Sequence, residues 1–239
     1  MIKSIKDVKT QIYADGASID EFLELNKFDY IKGFTTNPTL MRANGINDYK
    51  KFAKELLSKI KDKPISFEVF DDDLYCMKEQ AIEINSWAKN IFVKIPITNT
   101  RGESTSNLIR ELNLSNIKCN VTAIFTVDQC IKIIQEHDNE RELILSIFAG
   151  RIADTGIDPL PIIKELKEIS KNKKNIKILW ASPRELLNII HADQVNCDII
   201  TVTKSILDKI KLFNKNLNEY SLETVKMFYN DALDSGYKI

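Results

Sequence analysis

A lysine stands inside an apolar stretch of the chain: Lys94 in IFVKIP (91–96), with Ile91, Phe92 and Val93 before it and Ile95 and Pro96 after it. Desolvation in a buried strand disfavours a charged ammonium, and the neutral amine that it favours is a nucleophile toward carbonyl carbon. The same residue also reads as the partner of a buried carboxylate, or as an outer-face lysine whose aliphatic stem lies along apolar surface. Two carboxylates hold comparable positions, Asp15 at the end of QIYAD (11–15) and Glu68 within ISFEVF (65–70). One amine with two carboxylates supplies the nucleophile, proton acceptor and charge partner needed to dehydrate a carbinolamine and cleave a C–C bond. Asp15 equally suits a helix N-cap, with Ser18 and Asp20 following, and Glu68 a simple ion pair.

Other polar residues interrupt or follow apolar runs. In TTNPT (35–39) a proline-fixed turn after Thr35 can hold Asn37 toward a cavity. Thr122, between Asn120 and Phe125, puts a hydroxyl in an apolar strand, where capping or cross-strand bonding is the ordinary use. Arg151 lies in FAGRIADTG (148–156), and Ser182 and Arg184 in WASPREL (180–186). Ser182 as cap and Pro183 as first helical residue would make an anion-binding helix start, or no more than a capped helix with a surface arginine.

The segments that must position these groups alternate along the chain. QIYAD (11–15), IKGFTT (31–36), ISFEVF (65–70), IFVKIP (91–96), IKCNVTAI (117–124), LILSIFAG (143–150), IKILWAS (176–182) and CDIITV (197–202) read as buried strands. Between them 49–63, 74–90, 104–113, 126–137, 159–171 and 183–193 carry apolar residues at helical spacing. Eight strand–helix units with short connections predict parallel pairing in one unit spanning 1–239, an α/β (β/α)8 TIM barrel. An open dinucleotide-binding sheet would carry a glycine-rich first turn, but ADGAS (14–18) holds one glycine and the whole chain seven. The tail 221–239 reads as an extra C-terminal helix starting at a Ser221 cap, which caps the barrel or reaches a neighbouring subunit.

Thirty-four Lys and Arg against 34 Asp and Glu give zero net charge, which excludes a strongly basic nucleic-acid binder. With 44% hydrophobic and 28% charged residues the chain can bury a large core. None of Cys76, Cys119, Cys130 and Cys197 forms a C-x-x-C pair or adjoins either histidine, so no metal site is expected. His137 and His191 read as structural. The start MIKSIKDVKT and the lack of a long apolar run predict no leader and no membrane span, hence a cytoplasmic protein with reduced thiols.

Seven segments in this order resemble the transaldolase family, including its shorter fructose-6-phosphate-aldolase-like branch: the Asp15 strand end, GFTTNPTL (33–40), FEVF (67–70), IFVKIPIT (91–98), CNVTAIFT (119–126), FAGRIADTG (148–156) and WASPRE (180–185). The resemblance implies a cofactor-free, metal-independent Schiff-base enzyme of sugar phosphates in the pentose phosphate pathway, assembled as a homo-oligomer. It implies Lys94 as the imine-forming residue and Asp15 as the acid/base at the donor hydroxyl. Glu68 and Thr122 would hold the catalytic water. Thr35, Asn37, Asn120 and Phe148 would surround the sugar, with Arg151, Ser182 and Arg184 on the phosphate. Within the family Glu68 and Phe148 match transaldolases, which transfer dihydroxyacetone, over aldolases that release it. A non-catalytic sugar-phosphate-binding barrel would need the arginines but no amine at 94. Two departures from the family pattern, Ile147 in SIFAGR and the stretch TNTRGEST (98–105), are expected to lie close to the cavity.

Overall fold

Runs rich in β-branched residues become strands when both faces are covered, here by helices outside and by side chains from the opposite wall inside. The computed structural model describes residues 4–138 and 140–238. Eight strands, β1 (Gln11–Asp15), β2 (Ile31–Thr35), β3 (Ile65–Glu68), β4 (Ile91–Pro96), β5 (Cys119–Ile124), β6 (Leu143–Ile147), β7 (Ile176–Trp180) and β8 (Ile199–Thr203), form a closed barrel in chain order. All neighbouring pairs are parallel, β8 against β1 included. Around them run α1 (Ile19–Asn26), α2 (Pro38–Ala43), α3 (Tyr49–Lys59), α4 (Leu74–Asn85), α5 (Ser106–Leu114), α6 (Asp128–Glu136), α7 (Ala149–Asp154), α8 (Leu160–Ile169) and α9 (Leu187–Gln194); α10 (Lys204–Leu207) and α11 (Leu217–Asp234) follow β8. The fold is the (β/α)8 barrel with an extra C-terminal helix.

The two-residue period of the strands separates two cores. Outward residues such as Ile12, Phe67, Val93, Leu145 and Ile178 join the helices in one large cluster. Inward residues Tyr13, Phe92, Ile144, Leu179 and Ile199 form a second, smaller cluster that fills the barrel floor. Tyr13 fits there because Gly33 faces it: a Cβ on Gly33 would lie 2.6 Å from two carbons of the Tyr13 ring. All four cysteines are free, and burial pushes the Cys119, Cys130 and Cys197 thiols up to about 12, which makes them inert packing groups.

Three sequence expectations are corrected. LILSIFAG stops being a strand at Ile147, and its last residues open α7. Ser182 and Pro183 begin no helix: Ser182 is left-handed at φ 57°, and α9 starts only at Leu187. The tail helix begins at Leu217, ahead of Ser221, because the Asn216 side chain accepts from the N–H groups of Asn218 and Glu219 at 2.9 and 3.2 Å. No described residue of α11 is buried, so it does not cap the barrel, and Leu217, Val225, Phe228 and Leu233 are exposed. Of the segments read from sequence, Met1–Lys3 and Ile239 lie outside the described residues. Among the described residues no helix is long and apolar enough to cross a membrane.

The floor packing is testable. Gly33→Ala should cost about 1–3 kcal/mol in urea unfolding, as overpacking does. Combined with Tyr13→Leu, which removes the clashing ring carbons, it should cost less than the two single changes added. Simple additivity would show that the two residues do not press on each other.

Candidate active site

The upper half of the barrel is polar where the floor is apolar. At the C-terminal ends of the strands a cavity of about 470 Å³ opens, and Lys94, Asp15, Glu68, Thr122, Thr35, Asn37, Asn120, Phe148, Arg151, Ser182 and Arg184 all line it. Every candidate site residue read from the sequence is therefore brought to one place: β1–β5 contribute six of them, and the segments after β2, β6 and β7 the other five.

Lys94 faces inward from β4, 9% exposed, and its Nζ donates to the Thr36 carbonyl. It is neither an outer-face lysine nor, among the described residues, part of an ion pair. Glu68 is its neighbour across the β3–β4 ladder and is 5% exposed. The Thr36 hydroxyl lies 2.7 Å from Glu68 Oε2, while Glu68 Oε1 is buried without a donor among the described residues. Asp15 is no helix cap, since Ser18 caps α1. Its carboxylate instead opens on the cavity and accepts from Thr35 Oγ1 at 2.7 Å and Asn37 Nδ2 at 3.1 Å. Burial raises both carboxyls above their ordinary range; for each, the charge of Lys94 is the largest opposing influence and does not cancel it. A carboxylate held this way is a stronger proton acceptor than one in water.

Asn37 works twice. Its Oδ1 caps α2 by accepting from the Leu40 N–H at 2.9 Å, with Pro38 as the first helical residue, and this leaves Nδ2 for Asp15. Asn120 is wholly buried, donating to Ser66 Oγ at 3.0 Å and accepting from Ser146 Oγ at 2.6 Å. Beyond it β5 carries one extra residue against β6, with Ala123 at φ 60°, a bulge just past Thr122. Phe148 stands at the end of β6 against Phe125, ring centroids 5.8 Å apart.

On the far wall, Gly150 lets the start of α7 touch the loop after β7, where a Cβ would meet the Ser182 carbonyl at 1.5 Å. Arg151 lies with its guanidinium carbon 5.3 Å from the Phe148 ring centroid. Arg184 forks onto Asp154, with Nε at 3.1 Å from Oδ1 and Nη2 bonded to Oδ2. The backbone N–H groups of Arg184 and Glu185 donate to Asn188 Oδ1 at 2.7 and 3.2 Å, so they are not the free donors of a helix start.

Sequence reading missed the residues that hold the site. Thr36, Ser66 and Ser146 are buried, and Thr201 lies 2.5 Å from the Thr35 hydroxyl. For Ser66 and Ser146 the available signal was strand parity, since they sit two residues from Glu68 and Phe148; Thr36 and Thr201 stand at no such spacing from a group that was found. Neither departure from the family pattern lines the cavity. Ile147 points into the outer core, and 98–105 is a hairpin tied by a Thr98–Ser104 bridge and by Asp72, which accepts from Thr100. His137 and His191 lie away from the cavity as well, and so does Lys204, which pairs with Asp208 at 2.9 Å.

The geometry agrees with comparison to known proteins. A family model described as Transaldolase/Fructose-6-phosphate aldolase matches residues 12–238. The chain is 33% identical over 230 residues to a probable transaldolase of Thermoanaerobacter sp., covering 96% of this chain and 100% of that one. It is 31% identical over 214 residues to a probable transaldolase of Methanococcus maripaludis, covering 89% and 94%. Among solved structures, a mandelate oxidase mutant with an FMN adduct superposes at a TM-score of 0.56 with 11% identity, covering 91% of this chain and 75% of that one, a likeness of fold alone. The chain belongs to the transaldolase/fructose-6-phosphate aldolase family.

Proposed function

We propose that the chain transfers a dihydroxyacetone unit from a ketose phosphate to an aldose phosphate through an imine on Lys94. The observation that carries this reading is an interior amine at the C-terminal end of the barrel with two carboxyls beside it, both raised by burial. The Lys94 amine adds to the ketose carbonyl, and loss of water from the carbinolamine leaves an iminium. Asp15 takes the proton of the hydroxyl next to the breaking C–C bond, the electron pair passes into the iminium, and an aldose leaves. The enamine then attacks the acceptor aldehyde, Asp15 returns its proton to the new hydroxyl, and water held by Glu68 and Thr122 hydrolyses the imine. Thr35, Asn37 and Asn120 bind sugar hydroxyls, and the phosphate lies against Arg151, Ser182 and Arg184. The iminium is the electron sink, so these steps call for no cofactor.

Borohydride added with fructose 6-phosphate should fix one ketose-derived fragment on Lys94, read by mass spectrometry. Label on Lys204, or turnover surviving in Lys94→Ala, would sink the assignment.

Transfer requires the enamine to outlast protonation until an acceptor arrives, and Phe148 offers no proton. Phe148→Tyr should raise the release of free dihydroxyacetone relative to transfer. A wild-type enzyme that releases it equally fast with and without acceptor is an aldolase of the same family.

Each arginine–phosphate contact should contribute about 1.5–3 kcal/mol, so Arg151→Ala and Arg184→Ala should lower kcat/KM for phosphorylated sugars by roughly one to two decades. Unphosphorylated analogues should be affected much less. Equal loss on both would assign the arginines to folding.

A further inference from the structure

The ladder between β2 and β3 breaks where the cavity begins. The Thr36 N–H donates to the Ser66 carbonyl at 3.2 Å, and parallel pairing would next send the Glu68 N–H to the Thr36 carbonyl. That carbonyl holds the Lys94 amine instead. One step further, the Glu68 carbonyl would accept from residue 38, which is proline and has no N–H. Both backbone groups of Glu68 are thereby left without their sheet partners on the β2 side, and buried backbone groups without partners are strongly disfavoured.

One hydroxyl replaces both bonds. Tyr49 Oη accepts from the Glu68 N–H at 2.8 Å and donates to the Glu68 carbonyl at 3.0 Å. The ring that carries it is fixed at the first turn of α3, where Asp48 caps the helix by accepting from the Lys51 N–H at 2.9 Å. Phe67, Phe70 and Trp87 surround it, with centroids 6.1, 4.5 and 6.0 Å away. Tyr49 does not line the cavity, so it acts only through Glu68 and Thr36.

We propose that Tyr49 is a positioning residue: its hydroxyl stands in for the missing sheet bonds of Glu68, which leaves the Thr36 carbonyl to Lys94 and keeps the Glu68 carboxylate at the cavity wall. Without the hydroxyl, the Glu68 N–H competes with Lys94 for the Thr36 carbonyl, and amine and carboxylate lose their register together. The catalytic consequence rests on the imine reading above, whereas the structural consequence does not.

Tyr49→Phe keeps the ring and removes the clamp. Amide hydrogen exchange should show the Glu68 N–H opening about tenfold or more faster. kcat for ketose phosphate cleavage should fall by about ten- to a hundredfold, with KM changed by less than about threefold. Ile163→Val, a core change in α8 across the barrel, serves as the control for destabilisation and should keep kcat. Unchanged exchange at Glu68 overturns the clamp. Faster exchange with unaltered kcat, or a fall in kcat matched by an equally destabilised Ile163→Val, overturns the positioning role. A wild-type chain that forms no borohydride-stable adduct overturns the imine reading, and the exchange result then decides the clamp by itself.

Discussion

The contact between the Lys94 amine and the Thr36 carbonyl is the constraint on which the upper barrel depends. A buried basic group away from water must find its partners within the protein, and each partner must in turn be satisfied. Thr36 answers with its carbonyl toward Lys94 and its hydroxyl toward Glu68. Asp15 is held by Thr35 and Asn37, and Asn120 by Ser66 and Ser146. The result is a polar layer whose members fix one another's directions, so that few of them are free to turn before substrate arrives. Such preorganisation lowers the reorganisation needed at the moment of reaction.

The apolar floor makes that layer possible. Tyr13, Phe92, Ile144, Leu179 and Ile199 close the barrel beneath the site and keep the polar groups off the opposite mouth. Tyr13 is large enough to do so only because Gly33 has no side chain. The outer core holds the strand backbones in register from the other side, so the inward residues inherit their positions from packing that never touches the cavity.

The far wall is built differently. Arg184 is 54% exposed and bonded to Asp154, and an exposed ion pair is weak in water. A phosphate arriving there would compete with a single carboxylate for the guanidinium, and its greater charge favours the exchange. Arg151, resting on Phe148, reaches the same wall from α7. On the proposed reading, binding of this kind would anchor the remote end of a sugar while the rigid layer near Lys94 would receive its carbonyl.

The barrel was legible in the sequence because its signal is local. Eight β-branched runs bounded by amphipathic stretches state strand, helix and order without reference to distant residues, and Lys94, Asp15 and Glu68 stand out as charges inside such runs. Boundaries were less legible where a tertiary bond overrides propensity. Ser182 and Pro183 have the composition of a helix start, yet close packing of Gly150 against the Ser182 carbonyl leaves them in a loop, and Asn188 takes the N–H groups that follow. Tyr49 and Thr36 carry no motif of their own. Their importance arises from a sheet bond that Pro38 cannot make and a carbonyl that Lys94 has claimed, and both facts exist only once β2, β3 and β4 lie side by side. Chemistry-bearing residue types are written in the chain, but the partners that orient them come from strands far apart in sequence, and only closure of the barrel brings those strands together.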